Sequence, residues 1–241
     1  MDQRNPHGQS LGSDELVEDL FGLNVRGLRT LRDMVIRPAR VFEAARRADW
    51  RGEYTPSVRL VFSILTLLGF LSFFWAGEDT AFFEGFSKGF ADGQDMEEFD
   101  GMETEVAQEI IGVYSATLPF LYLIAHGFIS QVVRVWGAGT DRVTRLRLHM
   151  ASIVPSMALT LIATMLMPLM EKQMALIGVL LLVGTVLVDF ATSYRGGVVA
   201  ETQRGRLVKA SVFALGAATG SIIASALSLI TVVVSLLTFI R

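Results

Sequence analysis

The chain has 241 residues, 51% of them hydrophobic, with no Cys and a formal net charge of −3. Apolar residues gathered into long runs exclude an ordinary soluble domain, and the lack of thiols excludes disulfides and thiolate metal centres. The small net charge averages a basic set of segments with an acidic one, and no nucleic-acid partner is expected from it.

Residues 1–12 (MDQRNPHGQSLG) are polar and contain Pro and Gly, so they are expected to be disordered. Ser13 reads as the N-cap of a short helix, with Asp14 and Glu15 in its first turn and Leu16, Val17, Leu20 and Phe21 behind them. Gly22 ends that helix. Asn24 caps a second one, in which Leu28, Leu31, Met34 and Val35 share a face and Arg26, Arg29, Arg32 and Arg37 stand beside it. Pro38 suits the first turn of a third helix, carrying Val41, Phe42 and Ala45. Trp50 and Tyr54 fit the interfacial belt before a membrane span.

Residues 13–57 therefore read as a cytoplasmic basic amphipathic helical region. An Arg-rich helix with an apolar stripe suits the surface of an anionic leaflet. Arg26, Arg29, Arg32, Arg37, Arg40 and Trp50 are its candidate docking residues, for anionic lipid or for a cytoplasmic protein partner. The plainer reading is flanking sequence that obeys the positive-inside rule. The first 50 residues are too polar to hold the apolar core of a cleavable signal peptide. The first span is expected to serve as its own insertion signal.

Residues 58–241 read as a five-span transmembrane domain, with spans at about 58–76, 110–133, 149–170, 174–194 and 210–240. Between the first two lies an acidic outer loop, 77–109, in which eleven Asp and Glu residues face only Lys88. Phe82, Phe86 and Phe90 recur at helical spacing within it, as on a helix lying on the membrane. Its stretch 92–101 does not match the ligand spacing of an EF-hand, and no metal site is assigned. The second span contains Pro119 and His126, the third Pro155 and Pro168, and the fourth Asp189. The fifth is longer than a bilayer requires.

Positive charge fixes an orientation. Of the 21 Lys and Arg residues, all but Lys88, Lys172 and Arg241 fall in the N-terminal region and in segments 134–148 and 195–209. The positive-inside rule puts these in the cytoplasm and the C-terminus on the far side. The membrane expected is the bacterial cytoplasmic (inner) membrane.

Asp189 is the one acid well within a span, and charge there invites a functional reading. It also sits near the cytoplasmic end, where it can pair with Arg134, Arg145 or Arg195. His149 is expected at the same depth, at the cytoplasmic start of the third span, and His126 deeper, about two helical turns from Arg134 in the second. Asp189, His126, His149 and Arg134 are thus a candidate intramembrane polar cluster. Proton or anion handling and simple interhelical hydrogen bonding both remain open for it. In the fifth span, Gly216 and Gly220 form a GxxxG motif that Ala224 extends, a surface for close helix packing within the chain or in a homo-oligomer. No HExxH, Walker loop or GxSxG is present, so neither catalytic residues nor a cofactor are assigned.

Segment Arg37-Pro38-Ala39-Arg40-Val41-Phe42 resembles the Pro-then-aromatic helix that precedes the first span in bacterial members of the YIP (Ypt/Rab-interacting protein) family. Gly137-Ala138-Gly139-Thr140, followed by a span bearing Ala151-Ser152-Ile153-Val154-Pro155, is similar to that family's Gly-containing loop and Pro-bearing third span. The likeness extends over about residues 27–238, and the Asp-Leu-Tyr-Gly-Pro motif of eukaryotic members is absent. The resemblance implies an all-α, polytopic, non-enzymatic membrane protein that engages lipids or proteins. A scaffold or adaptor acting through the basic face is the first expectation. A small transporter or channel component built around Asp189 and His126 is the alternative.

Overall fold

In the computed structural model, residues 25–75, 103–166 and 174–239 are described, and they are helical apart from short connections. The helices are α1 (Val25–Ile36), α2 (Pro38–Arg47), α3 (Ser57–Trp75), α4 (Glu103–Val132), α5 (Arg142–Leu166), α6 (Met174–Thr192) and α7 (Gln203–Phe239). A short π-helical turn, Ser193–Gly197, extends α6. The expected N-terminal helix at Ser13, the outer loop up to residue 102, Pro168 and the 171–173 turn lie outside the described residues.

Four stretches are long and apolar enough to cross a membrane: Gln108–Val132, Arg142–Leu166, Leu176–Gly197 and Gln203–Thr238. Ser57–Leu71 in α3 is a shorter apolar helix. α6 and α7 point large apolar side chains outward, among them Leu180, Leu187, Leu215, Ile222, Ile230 and Val233. Such a belt is costly in water and natural in lipid, so the chain fits a multi-pass integral membrane protein.

α5 is the central helix. Every residue from Leu148 to Ala158 is buried, as expected of a helix packed on all sides. α3, α4 and α6 pack around it, and α7 lies along α4. Gly216 and Gly220 make that last contact close. A Cβ on Gly216 would meet Val133 at 2.8 Å, and one on Gly220 would meet the His126 ring at 3.2 Å. Ala224 is also buried. The GxxxG face is therefore filled within the chain.

Several helices begin earlier than the sequence reading placed them. α4 starts at Glu103, α5 at Arg142 and α7 at Gln203. Hydropathy marks where a helix enters lipid, whereas backbone hydrogen bonding carries it beyond that edge. At α5, Asp141 supplies the cap, its carboxylate accepting from the amides of Val143 (2.9 Å) and Thr144 (3.0 Å).

α1 and α2 form a cap across one end of the bundle. α2 buries Pro38, Val41, Phe42 and Ala45, the expected i, i+3, i+4, i+7 stripe. Pro38 starts it, and Ala48 ends it in a left-handed conformation at φ 54°. α1 departs from expectation. Its buried face is Gly27, Thr30, Asp33 and Met34. Leu28 and Val35, assigned to the apolar face, are 59% and 52% exposed. Polar partners explain the rotation. The Thr30 hydroxyl accepts from the Thr55 amide at 2.9 Å, and Asp33 accepts from the Tyr54 hydroxyl at 3.0 Å. Turning α1 outward would leave these groups without their partners.

Two arginines lock the cap down. Arg46 donates to the carbonyls of Trp136 (3.0 Å) and Gly197 (2.9 Å). Arg195 donates to those of Val35 (2.6 Å) and Ile36 (3.1 Å), satisfying the open end of α1. The Val199 amide donates to Val135 O at 3.2 Å. These bonds gather the N-terminal region, the α4–α5 connection and the α6–α7 connection, all Arg-rich, at one end of the molecule.

Candidate functional site

The intramembrane residues separate into a histidine pair and an isolated acid. His126 on α4 and His149 on α5 are both fully buried, with Nδ1 of the first 2.9 Å from Nε2 of the second. His126 Nε2 lies 3.3 Å from the Ser221 hydroxyl on α7. His149 Nδ1 has no partner among the described residues. An unpaired ring nitrogen costs less as a bare acceptor than as an orphan N–H. That places a hydrogen on His149 Nε2, donated to His126 Nδ1, and another on His126 Nε2, donated to Ser221.

Tyr122 stacks on His126 with ring centroids 4.1 Å apart, and its hydroxyl lies 3.5 Å from Ser221 Oγ. On the other side His149 meets Phe213 edge-on at 5.2 Å, Phe213 meets Trp136 at 5.2 Å, and Trp136 meets Phe42 of the cap at 6.1 Å. A continuous line of rings thus joins the cap to the membrane interior.

Asp189 sits near the end of α6, only 6% exposed. Its Oδ1 is buried with no partner among the described residues, and the hydroxyl of the neighbouring Ser156 on α5 donates to Ile153 O at 2.9 Å. None of the arginines considered for it is seen to pair with it. Arg195 is engaged by the cap, and Arg134 is exposed beyond the end of α4. Arg134 therefore does not join the polar cluster. The chain leaves α4 at Val132 and carries the guanidinium outward instead of back along the helix.

Asp189 opens on a cavity of about 570 Å³ bounded by α3, α4, α5, α6 and α7. Its walls are mostly Leu, Ile, Met and Ala, with the hydroxyls of Tyr122, Ser156, Thr160, Thr185, Ser221 and Ser225 among them. Tyr122 and Ser221 line this cavity and also touch His126, so they connect the acid's cavity to the histidine pair. The sequence reading missed Tyr122, Ser156 and Ser221. Tyr122 stands one helical turn before His126, and Ser221 follows Gly220, but hydroxyls are too common in membrane helices for that spacing to single them out.

The cap residues have their own geometry. Arg29, Arg32, Arg37 and Arg40 are exposed, as is Arg26, while Trp50 is half-buried against the core. Arg32 pairs with Asp33 at 2.8 Å. Burial pushes the Asp33 carboxyl up, but hydrogen bonds from Arg32 and Tyr54 and the nearby charges of Arg32 and Arg37 outweigh it and hold the group below its ordinary value. Arg40 and Trp50 border an open polar cleft with Glu43 and Arg47, which pair with each other at 2.6 Å. Among the described residues no three His, Asp or Glu side chains gather closely enough to hold a metal ion.

Comparison with protein-family models, with curated proteins and with solved structures finds no match to this chain.

Proposed function

We propose that this chain is a non-enzymatic membrane scaffold or adaptor of YIP-like type. In this reading α3 is a fifth span, the N-terminus is cytoplasmic, the C-terminus lies on the far side, and the membrane is the bacterial inner membrane. The carrying observation is the orientation of α1. Its polar face is turned in and hydrogen-bonded, while Val25, Leu28, Val35 and Ile36 are exposed beside Arg29 and Arg32. An aliphatic stripe flanked by arginines on a helix anchored at the bundle's end suits the headgroup region of an anionic leaflet.

The chain has no Cys, so a single reporter can be placed cleanly. Leu28→Cys carries an environment-sensitive fluorophore in full-length protein reconstituted in nanodiscs. Emission should shift to the blue when phosphatidylcholine is part-replaced by phosphatidylglycerol, and Arg29→Glu with Arg32→Glu should abolish the shift. Identical emission in both lipids would refute lipid docking.

The cavity beside Asp189 favours a second reading, a small transporter or channel component. It predicts solute flux in proteoliposomes that Asp189→Asn removes. Undiminished flux in that variant rules out a role for the acid.

A further inference from the structure

Asp189 is a carboxyl buried among apolar helices, with no side-chain hydrogen bond or ion pair found for it among the described residues, and it lines a cavity. In a low-dielectric setting a bare carboxylate is costly, and it is compensated by a proton, a cation or a hydrogen-bond donor. The helices supply no guanidinium or ammonium, since no Lys or Arg among the described residues lines the cavity, and the Ser156 hydroxyl donates to Ile153 O. The compensation is left to whatever occupies the space in front of Asp189.

That space has a definite chemistry. Its volume of about 570 Å³ falls in the range of small-molecule sites. One wall holds the acid and, around it, Ser156, Thr160 and Thr185. Tyr122 of α4 and Ser221 and Ser225 of α7 line the cavity as well. Hydroxyls beside a carboxylate accept N–H bonds, so the polar side is matched to a group with one positive charge and more than one N–H. The remaining lining is apolar, with Leu65, Leu68, Leu118 and Met157 on the inner helices. A hydrated inorganic ion gains nothing from such walls, and a neutral hydrocarbon leaves the carboxylate charge uncompensated.

We infer that the cavity beside Asp189 is a binding site for a hydrophobic protonated amine, whose N–H groups meet the Asp189 carboxylate and the surrounding hydroxyls while its apolar body lies against the leucines. The inference rests on the second reading above only for the location of the site, since binding requires no transport.

The test uses the full chain in detergent, with tritiated propranolol, a protonated secondary amine with an aromatic body, as the probe. Saturable binding of about one probe per chain is expected. Asp189→Asn, which keeps the shape and removes the charge, should weaken it at least tenfold. Thr185→Leu, which fills the cavity without touching the acid, should weaken it similarly and guards against misfolding of the first variant. Naphthalene, the apolar body without the amine, should not compete. Absence of saturable binding, or equal binding by wild type and both variants, overturns the inference. Probe binding without probe flux in proteoliposomes upholds it and counts against the transport reading. Flux of another solute with no amine binding does the reverse.

Discussion

His126 Nδ1 and His149 Nε2 stand 2.9 Å apart with both rings fully buried between α4, α5 and α7. His126 is the only hydrogen-bond partner of the His149 ring among the described residues, while His126 also reaches Ser221. The two therefore act as a unit. His126→Ala should lower stability by about 2–4 kcal/mol, from the space left beside Gly220 and the stranded His149 donor. His149→Ala should cost a similar amount. The double variant should cost clearly less than the two losses together, since the second removal strands nothing. Denaturant unfolding in detergent measures this. Additivity within about 0.5 kcal/mol would show that the pair contributes no coupling.

Gly197 controls how closely the cap seats. A Cβ there would fall 2.7 Å from the Trp136 ring and 2.9 Å from the Phe42 ring, well inside normal contact. Gly197→Ala must push apart the rings that link cap and bundle, costing about 1–3 kcal/mol. Shrinking one ring should restore part of it, so Gly197→Ala with Phe42→Leu should be more stable than Gly197→Ala alone. Tryptophan emission and thermal unfolding report both effects. Gly52, whose Cβ would meet nothing within 4 Å, has φ +65°, so its alanine variant isolates backbone strain from crowding.

What could be read from the sequence follows from which forces leave a local trace. The apolar runs of α4 to α7 announce themselves, because a span needs about 20 apolar residues in a row. The burial of Phe42 and Val41 was legible from the 3.6-residue period of α2. α1 defeated the same logic, because its Thr30 and Asp33 are turned inward by Thr55 and Tyr54, more than 20 positions away. No periodicity records such a bond. His126 and His149 were legible as members of one polar cluster, but their direct contact was not, since the sequence reading places His126 deeper than His149. The cavity at Asp189 was not legible either, since an empty volume belongs to the spacing of five helices. Arg134 failed as a partner because a chain leaving a helix can carry its side chain outward.

Acid should loosen the cap in a defined way. The folded-state value of Asp33 lies below its ordinary value, with its bonds from Arg32 and Tyr54 prevailing over burial. A depressed carboxyl contributes stability that is present above its unfolded value near 3.9 and is lost as pH falls through the folded value. Lowering the pH from about 5 to below 3 should therefore weaken the α1 attachment. Amide hydrogen exchange in α1 should accelerate over that window. In Asp33→Asn the acid-dependent part of that acceleration should vanish, with faster exchange already at neutral pH. An unchanged acid profile in that variant would move the effect to another carboxyl.

Two kinds of arginine share the cap, and they should respond oppositely to the same change. Arg46 sends one nitrogen to Trp136 O and another to Gly197 O, fixing α2 to both connections at once. Arg29 is exposed, and no side-chain partner is found for it among the described residues. Each is replaced by Met, which keeps an unbranched stem and removes the charge. Arg46→Met takes charged donors from two carbonyls and should cost about 1.5–3 kcal/mol, seen as earlier release of α2 in hydrogen exchange. Arg29→Met should stay within about 0.5 kcal/mol of wild type. In anionic nanodiscs the order should invert: Arg29→Met should reduce the lipid-dependent shift of a probe at Leu28, while Arg46→Met should leave it in place as long as α1 stays attached through Arg195. If both variants shifted stability and lipid response together, the cap would not divide into a locking set and a lipid-facing set, and the adaptor reading would lose its structural basis.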